Sequence, residues 1–430
     1  MFTSDCLDVK NSNLTIGGCD TTELVKKYGT PLYVMDENTI RNNCRMFKKS
    51  IDENYEKGLV LFASKALNCL EMCRIVNEEG LGIDCVSGGE IYTALKSGFP
   101  AEKIYFHGNN KTTDEMIYAI ENKVGTFIVD NHFELEELND LANERNTNIN
   151  IMFRIKPGID AHTHSIIRTG QIDSKFGFAL ENGEAFEAVK RAQEMSNLNL
   201  IGLHCHIGSQ IFMDTPFIEA AKVMMKFYKK IKDELDVELK ALNLGGGFAI
   251  KYLETDEHIS YELYMKKVAD VINSYCKENN LIVPMILIEP GRSIVGSAGI
   301  TLYKIGAVKE IENVRNYVTI DGGMGDNPRY ALYQSDYKVL IANKADKECD
   351  YTATVAGKCC ESGDLIQENV KIAKPEKNDV LAVLSTGAYN YSMASNYNRI
   401  PRPEMVMIKD GSARTIIKRE SYEDIVKNDI

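Results

Sequence analysis

Apolar residues in this chain gather into short β-like runs, each followed by a stretch with helical spacing. The runs are "LVLFASKA" from Leu59, "LGIDCVS" from Leu81, "KIYFHG" from Lys103, "TFIVD" from Thr126, "INIMFRIKPG" from Ile149, "LIGLHCHIG" from Leu200, "ALNLGGGF" from Ala241 and "MILIEPGR" from Met285. The clearest helix starts at Pro216 with Thr215 as its N-cap. There Phe217, Ala221, Met224, Tyr228, Ile231 and Leu235 alternate spacings of four and three along one face. Strand and helix repeated eight times predict a (β/α)8 barrel; a doubly wound sheet is the alternative, because alternation alone does not demonstrate closure.

After Arg292 the rhythm changes. "GITLYKIGAVKEI", "NYVTIDGG", "DYKVLIANKA", "DYTATVAGK", "DVLAVLS" and "EMVMIKDGSARTIIK" read as strands, the last folded at the hairpin dipeptide Asp410-Gly411. The expected organisation is a barrel over residues 35–290 and a mostly β domain, of sandwich or barrel type, from residues 1–34 and 291–430. The N-terminal segment is expected to pack on that domain or to cover the barrel's edge. A length of 430 residues suits two domains.

A formal charge of −12 disfavours nucleic acid and anionic membranes as partners. The N-terminus lacks a basic and apolar leader pattern, and no apolar run approaches the ~20 residues that span a bilayer, so a cytoplasmic protein is expected. Eleven cysteines, an odd number spread through the chain, read as free thiols. Cys359 and Cys360 are too close for an ordinary disulfide, and no structural zinc motif is present.

The active site of such a barrel lies at the C-terminal ends of its strands. The runs end in Lys65, Asp84 with Ser87, His107, Asp130, Arg154, His204 with His206, Gly245 to Gly247, and Glu289 with Arg292. Lys65 in "LFASKAL" either snorkels to water or does chemistry. The glycines lack the GxGxxG spacing; they form a tight turn or let backbone amides approach a phosphate. A phosphate site near a strand-end lysine suggests a phosphorylated aldehyde held on that lysine. Pyridoxal 5'-phosphate fits, with Glu289 placed to partner its pyridine nitrogen. The HxH pairs His204/His206 and His162/His164 raise a zinc-hydrolase alternative, but the histidine that follows, His258, falls in a polar segment.

"FASKAL", "HGNNK", "RIKPGIDAHTH", "DSKFGF", "GLHCHIGSQ", "GGGF", "EPGR", "DNPRYALY", "CESGD" and "TGAYNYSMASNYNRIPRP" occur in an order that resembles the bacterial diaminopimelate decarboxylase family over nearly the whole chain. These are pyridoxal-phosphate enzymes of the alanine-racemase-like fold class, related to eukaryotic ornithine decarboxylase. The resemblance implies that Lys65 carries the cofactor, and partial burial among apolar neighbours is the expected means of lowering the pKa of its amine. It implies that His204 stacks on the ring and that Glu289 bonds the pyridine nitrogen. Ser209, Gly245, Gly246, Gly247, Tyr389 and the Pro290-Gly291 turn that leads to Arg292 would complete the cofactor site. Arg292, Arg329 and Tyr333 would grip the substrate's distal carboxylate, as arginine's planar fork suits. Cys360 would supply a proton and Glu361 would bind the distal ammonium, both reaching the other subunit's site in a homodimer with its active site at the interface.

The implied reaction converts meso-2,6-diaminopimelate to L-lysine and CO2, the last step of bacterial lysine biosynthesis. Decarboxylation of ornithine or arginine is the alternative within the class, disfavoured because those substrates would leave Arg292 and Arg329 without a counter-ion. An inactive relative would be expected to lack Lys65 or Cys360, and both are present. Three positions depart from the family pattern: Leu67 intervenes between Ala66 and Asn68, Tyr330 stands where a proline is usual, and Cys359 precedes Cys360.

Overall fold

The computed structural model describes residues 2–159, 173–257 and 260–430. His162, His164 and His258 therefore lie outside the described residues. Two compact units result, one formed by Cys44–Ala249 with Ile259–Gly291, the other by Met1–Asn43, Ile250–His258 and Arg292–Ile430.

In the first unit all eight apolar runs form strands: β1 (Gly58–Ala63), β2 (Gly82–Cys85), β3 (Ile104–Phe106), β4 (Thr126–Val129), β5 (Ile149–Lys156), β6 (Leu198–Cys205), β7 (Ala241–Asn243) and β8 (Met285–Ile288). Each pairs in parallel with the next, and β8 pairs with β1 through Ile286 and Gly58, so the sheet closes into a barrel. Its interior is layered. Leu61, Tyr105, Ile128, Met152, Ala241 and Leu287 form one buried apolar cluster. On β2 and β6 the corresponding positions are Gly82 and Gly202, where a Cβ would lie 2.5 Å from Leu61 Cδ2 and 1.9 Å from the Ala241 carbonyl oxygen.

The helix that was expected from Pro216 spans Thr215–Leu235 with Asp214 as its N-cap, so Thr215 is already helical. Pro216 in the first turn removes no helical hydrogen bond, and Asp214 is held by Lys267 at 2.5 Å. Phe217, Ala221, Met224, Tyr228 and Ile231 are buried, as their spacing predicts.

The second unit is built on a nine-stranded sheet. Its long central strand, Gly299–Ile311, pairs antiparallel with Leu32–Asp36, Arg315–Ile320 and Val380–Val383. The segment "LYVMD" thus belongs inside this sheet. Asp410 and Gly411, with φ of 49° and 75°, turn the hairpin between Glu404–Lys409 and Ser412–Ile417. Three features differ from the expected layout, the first being that residues 35–43, expected in the barrel domain, belong to this unit. Leu365–Ile372 is a strand, and Ile250 and Tyr252, expected in the barrel domain, are buried in this unit's core. Among the described residues no helix is long and apolar enough to cross a membrane.

Glu37 anchors this unit electrostatically. Its carboxylate, 1% exposed, receives Arg41 at 2.7 Å, Lys409 at 3.0 Å and Arg414 at 2.6 Å. Burial raises its pKa, but the hydrogen bonds from Arg414, Arg41 and Lys409 outweigh that and hold it at about 2. A depressed carboxyl pKa contributes stability that is present above the ordinary value of 4.5 and is lost as pH falls toward 2. Glu37→Gln should lower stability at neutral pH by ~1–3 kcal/mol, kept modest because two of its partners are half-exposed. Denaturant unfolding at stepped pH should show a shallower acid limb between pH 4.5 and 2 in the variant than in the parent.

Candidate functional site

Side chains on one face of a strand recur every second residue. One step beyond the apolar layer of the barrel, the same inward faces carry Asp84, His107, Asp130, Arg154, His204, Asn243 and Glu289. All but Arg154 are less than 9% exposed, so this is a buried polar layer at the C-terminal ends of the strands. Burial pushes Asp84 and Asp130 up in pKa and Arg154 down. Arg154 lies 3.9 Å from Asp130 and packs its guanidinium 4.2 Å from the Phe176 ring centre.

Glu289 is the centre of this layer. Its Oε1 accepts Asn243 Nδ2 at 2.6 Å and lies 3.0 Å from His107 Nε2, while Oε2 lies 3.1 Å from His204 Nε2. Burial opposes its charge, but His204 and His107 hold its pKa well below the ordinary carboxylate value. An ionised carboxylate has about four acceptor sites. Asn243 and His204 fill two of them by hydrogen bonds, and His107 Nε2, 3.0 Å away but without hydrogen-bond geometry, stands across a third, which leaves one on Oε2 open among the described residues. An open acceptor on an anionic carboxylate is what a ring N–H⁺ requires, and the site therefore fits a pyridine nitrogen.

Lys65 sits in the single 3-10 turn Ser64–Ala66 that ends β1. The turn abuts Pro290 and Gly291: Ala63 N donates to the Pro290 carbonyl at 3.1 Å, and a Cβ on Gly291 would meet Ala63 Cβ at 3.0 Å. The expected partial burial of Lys65 is not found; the side chain is exposed, because the strand ends before it. Its charge is near enough to bear on both Asp84 and His206.

His204, expected to stack on the ring, is the buried member of the strand-end pair. His204 is wholly buried, with Nε2 on Glu289, so no ring face is open for stacking. His206, two residues on and past the end of β6, is partly exposed and accepts the Gly246 amide on Nδ1 at 3.2 Å. Burial lowers the pKa of both histidines, that of His204 to about 4.

The glycines act mainly by absence of a side chain. A Cβ on Gly246 would lie 2.0 Å from the Glu289 carbonyl oxygen, one on Gly245 2.4 Å from that of Cys205, and one on Gly247 2.4 Å from that of Gly208. Gly245 and Gly247 also adopt φ of 70° and 107°. The amides of Gly245 and Gly246 are engaged by Asn243 Oδ1 and His206 Nδ1. Ile211 N donates to the Gly247 carbonyl at 2.9 Å, which ties the loop bearing the part-exposed Ser209 to the glycine run.

In the other unit Arg292 and Arg329 share one aromatic partner that the sequence reading missed. Tyr252, 3% exposed, accepts Arg292 Nη1 at 2.5 Å, and the Arg329 guanidinium lies 3.6 Å from its ring centre. Tyr337 and Tyr389 flank Arg329 and Arg292 at 4.8 and 4.7 Å. Arg329 Nη1 also donates to the carbonyls of Ser335 and Asp336, which fixes its direction. Tyr333, in the same short helix, is partly exposed, and Tyr330, the departure from the family pattern, bonds Glu368 at 2.7 Å.

Cys360 and Glu361 are exposed, whereas Cys359 is partly buried. Buried Asp364 accepts the amides of Met324 at 2.5 Å and Cys359 at 2.7 Å, joining the Arg329 loop to the cysteine loop. Burial and the nearby Asp364 push the Cys359 thiol up to about 11. Cys359 is therefore a protonated thiol turned toward the loop's own anchor, and the outward one is Cys360.

His107, His204 and Glu289 form the one group among the described residues whose donor atoms cluster as a metal site would. His204 Nε2 hydrogen-bonds the carboxylate at 3.1 Å, while His107 Nε2, at 3.0 Å, lies within contact distance but without hydrogen-bond geometry. The HxH pair His204/His206 does not converge in this group.

The pyridoxal-dependent decarboxylase family, through its pyridoxal binding domain, matches residues 37–296. The diaminopimelate decarboxylase of Bacillus methanolicus is 49% identical over 96% of this chain and 95% of its own length, and that of Bacillus subtilis 47% identical over 98% and 96%. The crystal structure of the M. jannaschii diaminopimelate decarboxylase in complex with L-lysine superimposes with a TM-score of 0.92 at 37% identity, covering 100% of this chain and 99% of that one.

Gly246→Ala should force the Glu289 backbone away from β7. A loss of ~1–3 kcal/mol in unfolding free energy is expected from such overpacking, together with release of whatever the Glu289 carboxylate holds. Thermal unfolding of the loaded and stripped protein would check both.

Proposed function

Because the chain belongs to the pyridoxal-dependent decarboxylases, and among them to the diaminopimelate decarboxylase family, we propose that it removes CO2 from meso-diaminopimelate to give L-lysine, with pyridoxal 5'-phosphate as cofactor. The observation that carries the substrate assignment is the pair of guanidiniums, Arg292 and Arg329, both held on Tyr252. A decarboxylase for ornithine or arginine has no distal carboxylate to offer such a pair, and leaving it unmatched is costly.

When bound, pyridoxal phosphate supplies an electron-accepting ring that takes up the charge left as CO2 departs. Lys65, exposed at the end of β1, is the residue to hold it. Glu289, anionic and with one acceptor site left, keeps a proton on the ring nitrogen. His206 replaces His204 as the histidine that faces the ring, since it is the one with exposed surface. Ser209, Gly247 and Gly291, with Tyr389, are assigned to the phosphate, and Gly245 and Gly246 shape the approach. Arg292, Arg329 and Tyr333 hold the distal carboxylate, bidentate geometry fixing which end of the substrate is presented.

Cys360 delivers the proton that takes the place of the lost carboxylate, and Glu361 binds the distal ammonium. Both side chains are exposed on the chain that carries them. This supports a homodimer in which they complete the neighbouring subunit's site. The protein is placed in the cytoplasm, in keeping with its free thiols among the described residues.

The purified chain, given pyridoxal phosphate, should release CO2 from meso-diaminopimelate and form lysine; no turnover, despite a bound cofactor, would remove the assignment. Lys65→Ala should lose both turnover and the cofactor's visible absorption band. Arg329→Lys should raise KM ~10–100-fold, and ornithine and arginine should react at least ~10³–10⁴-fold less efficiently. Sedimentation should find a dimer, and mixing Lys65→Ala with Cys360→Ala chains should restore about a quarter of the activity if the sites are shared.

A further inference from the structure

The hydrogen bonds that hold Glu289 come from neutral groups, His204 and Asn243. His204 is wholly buried, its Nε2 must donate because a carboxylate only accepts, and its buried Nδ1 has no hydrogen-bond partner among the described residues. A protonated Nδ1 left unsatisfied in the interior would be costly, so the ring is the neutral Nε2–H tautomer. The pKa of about 4 that burial imposes on His204 agrees. Asn243, the donor at 2.6 Å, is neutral by nature. His107 approaches the same carboxylate from β3, with its ring 4.8 Å from that of His204 and edge-on to it. The hydrogen bonds come from the ends of β6 and β7, and His107 at the end of β3 stands against the carboxylate without hydrogen-bond geometry.

A carboxylate paired with an imidazolium would have its charge cancelled before any ligand arrived. One fixed by neutral N–H groups keeps its full charge, while the geometry leaves only one acceptor direction. We propose that His204, through its neutral N–H, and His107, standing against the other carboxylate oxygen, are positioning residues that fix Glu289 with a single acceptor site open among the described residues, so that it selects a ring nitrogen carrying a proton. This rests on the reading that Glu289 partners the pyridine nitrogen of pyridoxal phosphate. It adds that the selectivity is set by the two histidines, neither of which would touch the cofactor.

The test uses the full chain loaded with pyridoxal phosphate or with its 1-deaza analogue, in which a carbon replaces the ring nitrogen. Lys65 and the phosphate contacts serve both alike, so the ratio of their release rates, followed by loss of the visible band after dilution, isolates the nitrogen contact. In the parent the analogue should leave about ten-fold faster or more. In His204→Leu and His107→Leu the ratio should fall to within about two-fold of one, while His204→Gln, which restores a neutral N–H, should recover most of it. A general loosening of the barrel would speed both releases and leave the ratio unchanged, which would overturn the proposal. Should a leucine variant fail to fold, the same ratio in His204→Gln and His107→Asn decides: both must lie between the parent and Glu289→Gln, and a ratio equal to the parent's in a His107→Asn protein overturns the role of His107. Glu289→Gln separates the two levels of inference. If its ratio matches the parent's, the pyridine-nitrogen reading fails; if its ratio collapses and those of the histidine variants do not, only the present proposal fails.

Discussion

A layer of polar and ionised side chains buried at the mouth of a barrel is unstable unless each is given a partner, and the architecture of this chain follows from how that is done. Glu289 has the most to lose, because an unmatched carboxylate is among the costliest groups to bury. Its neighbours His107, His204 and Asn243 sit at the ends of β3, β6 and β7, which a chain brings together only by closing the sheet. The layer beneath must then be apolar and tightly filled. Gly82 and Gly202 make room in it for neighbouring side chains and backbone.

The β unit solves a related problem with loops. Strands Arg315–Ile320 and Tyr351–Ala356 run parallel as neighbours, so the segments that follow them leave from the same end of the sheet. One leads to Arg329 and the other to Cys360. Asp364 accepts an amide from each, and a Cβ on Gly323 or Gly357 would press to 2.5 or 2.2 Å from its carboxylate. Two residues assigned to different parts of the reaction are thus carried by loops with a common fixing point.

Much of this was legible in the sequence because the barrel strands are buried on both faces and appear as unbroken apolar runs. Leu365–Ile372 was not, since "LIQENVKI" places Gln367, Glu368 and Asn369 mid-strand. Nor was Tyr252, which falls in a short segment without periodicity between two recognisable elements; its one signal was an aromatic residue close after the glycine run. His204 and His206 share an inward parity, and their order along the strand decides which lies in the buried layer and which at its rim. That depends on where β6 ends, a boundary the local pattern does not mark. Lys65 shows the same effect: the apolar run continues past the last strand residue, and the side chain emerges where the pattern implied shelter.

The glycine run has a consequence for how such a protein can change. At Gly245, Gly246 and Gly247 the rim of the barrel is bare main chain in contact with other main chain, and no mutation can add a side chain there without displacing a neighbouring strand or loop. That arc is closed to gradual variation. Diversification of what the protein accepts must therefore be inherited through the surfaces that do carry adjustable side chains, so that the grip on the common cofactor and the choice among substrates descend along separate lines.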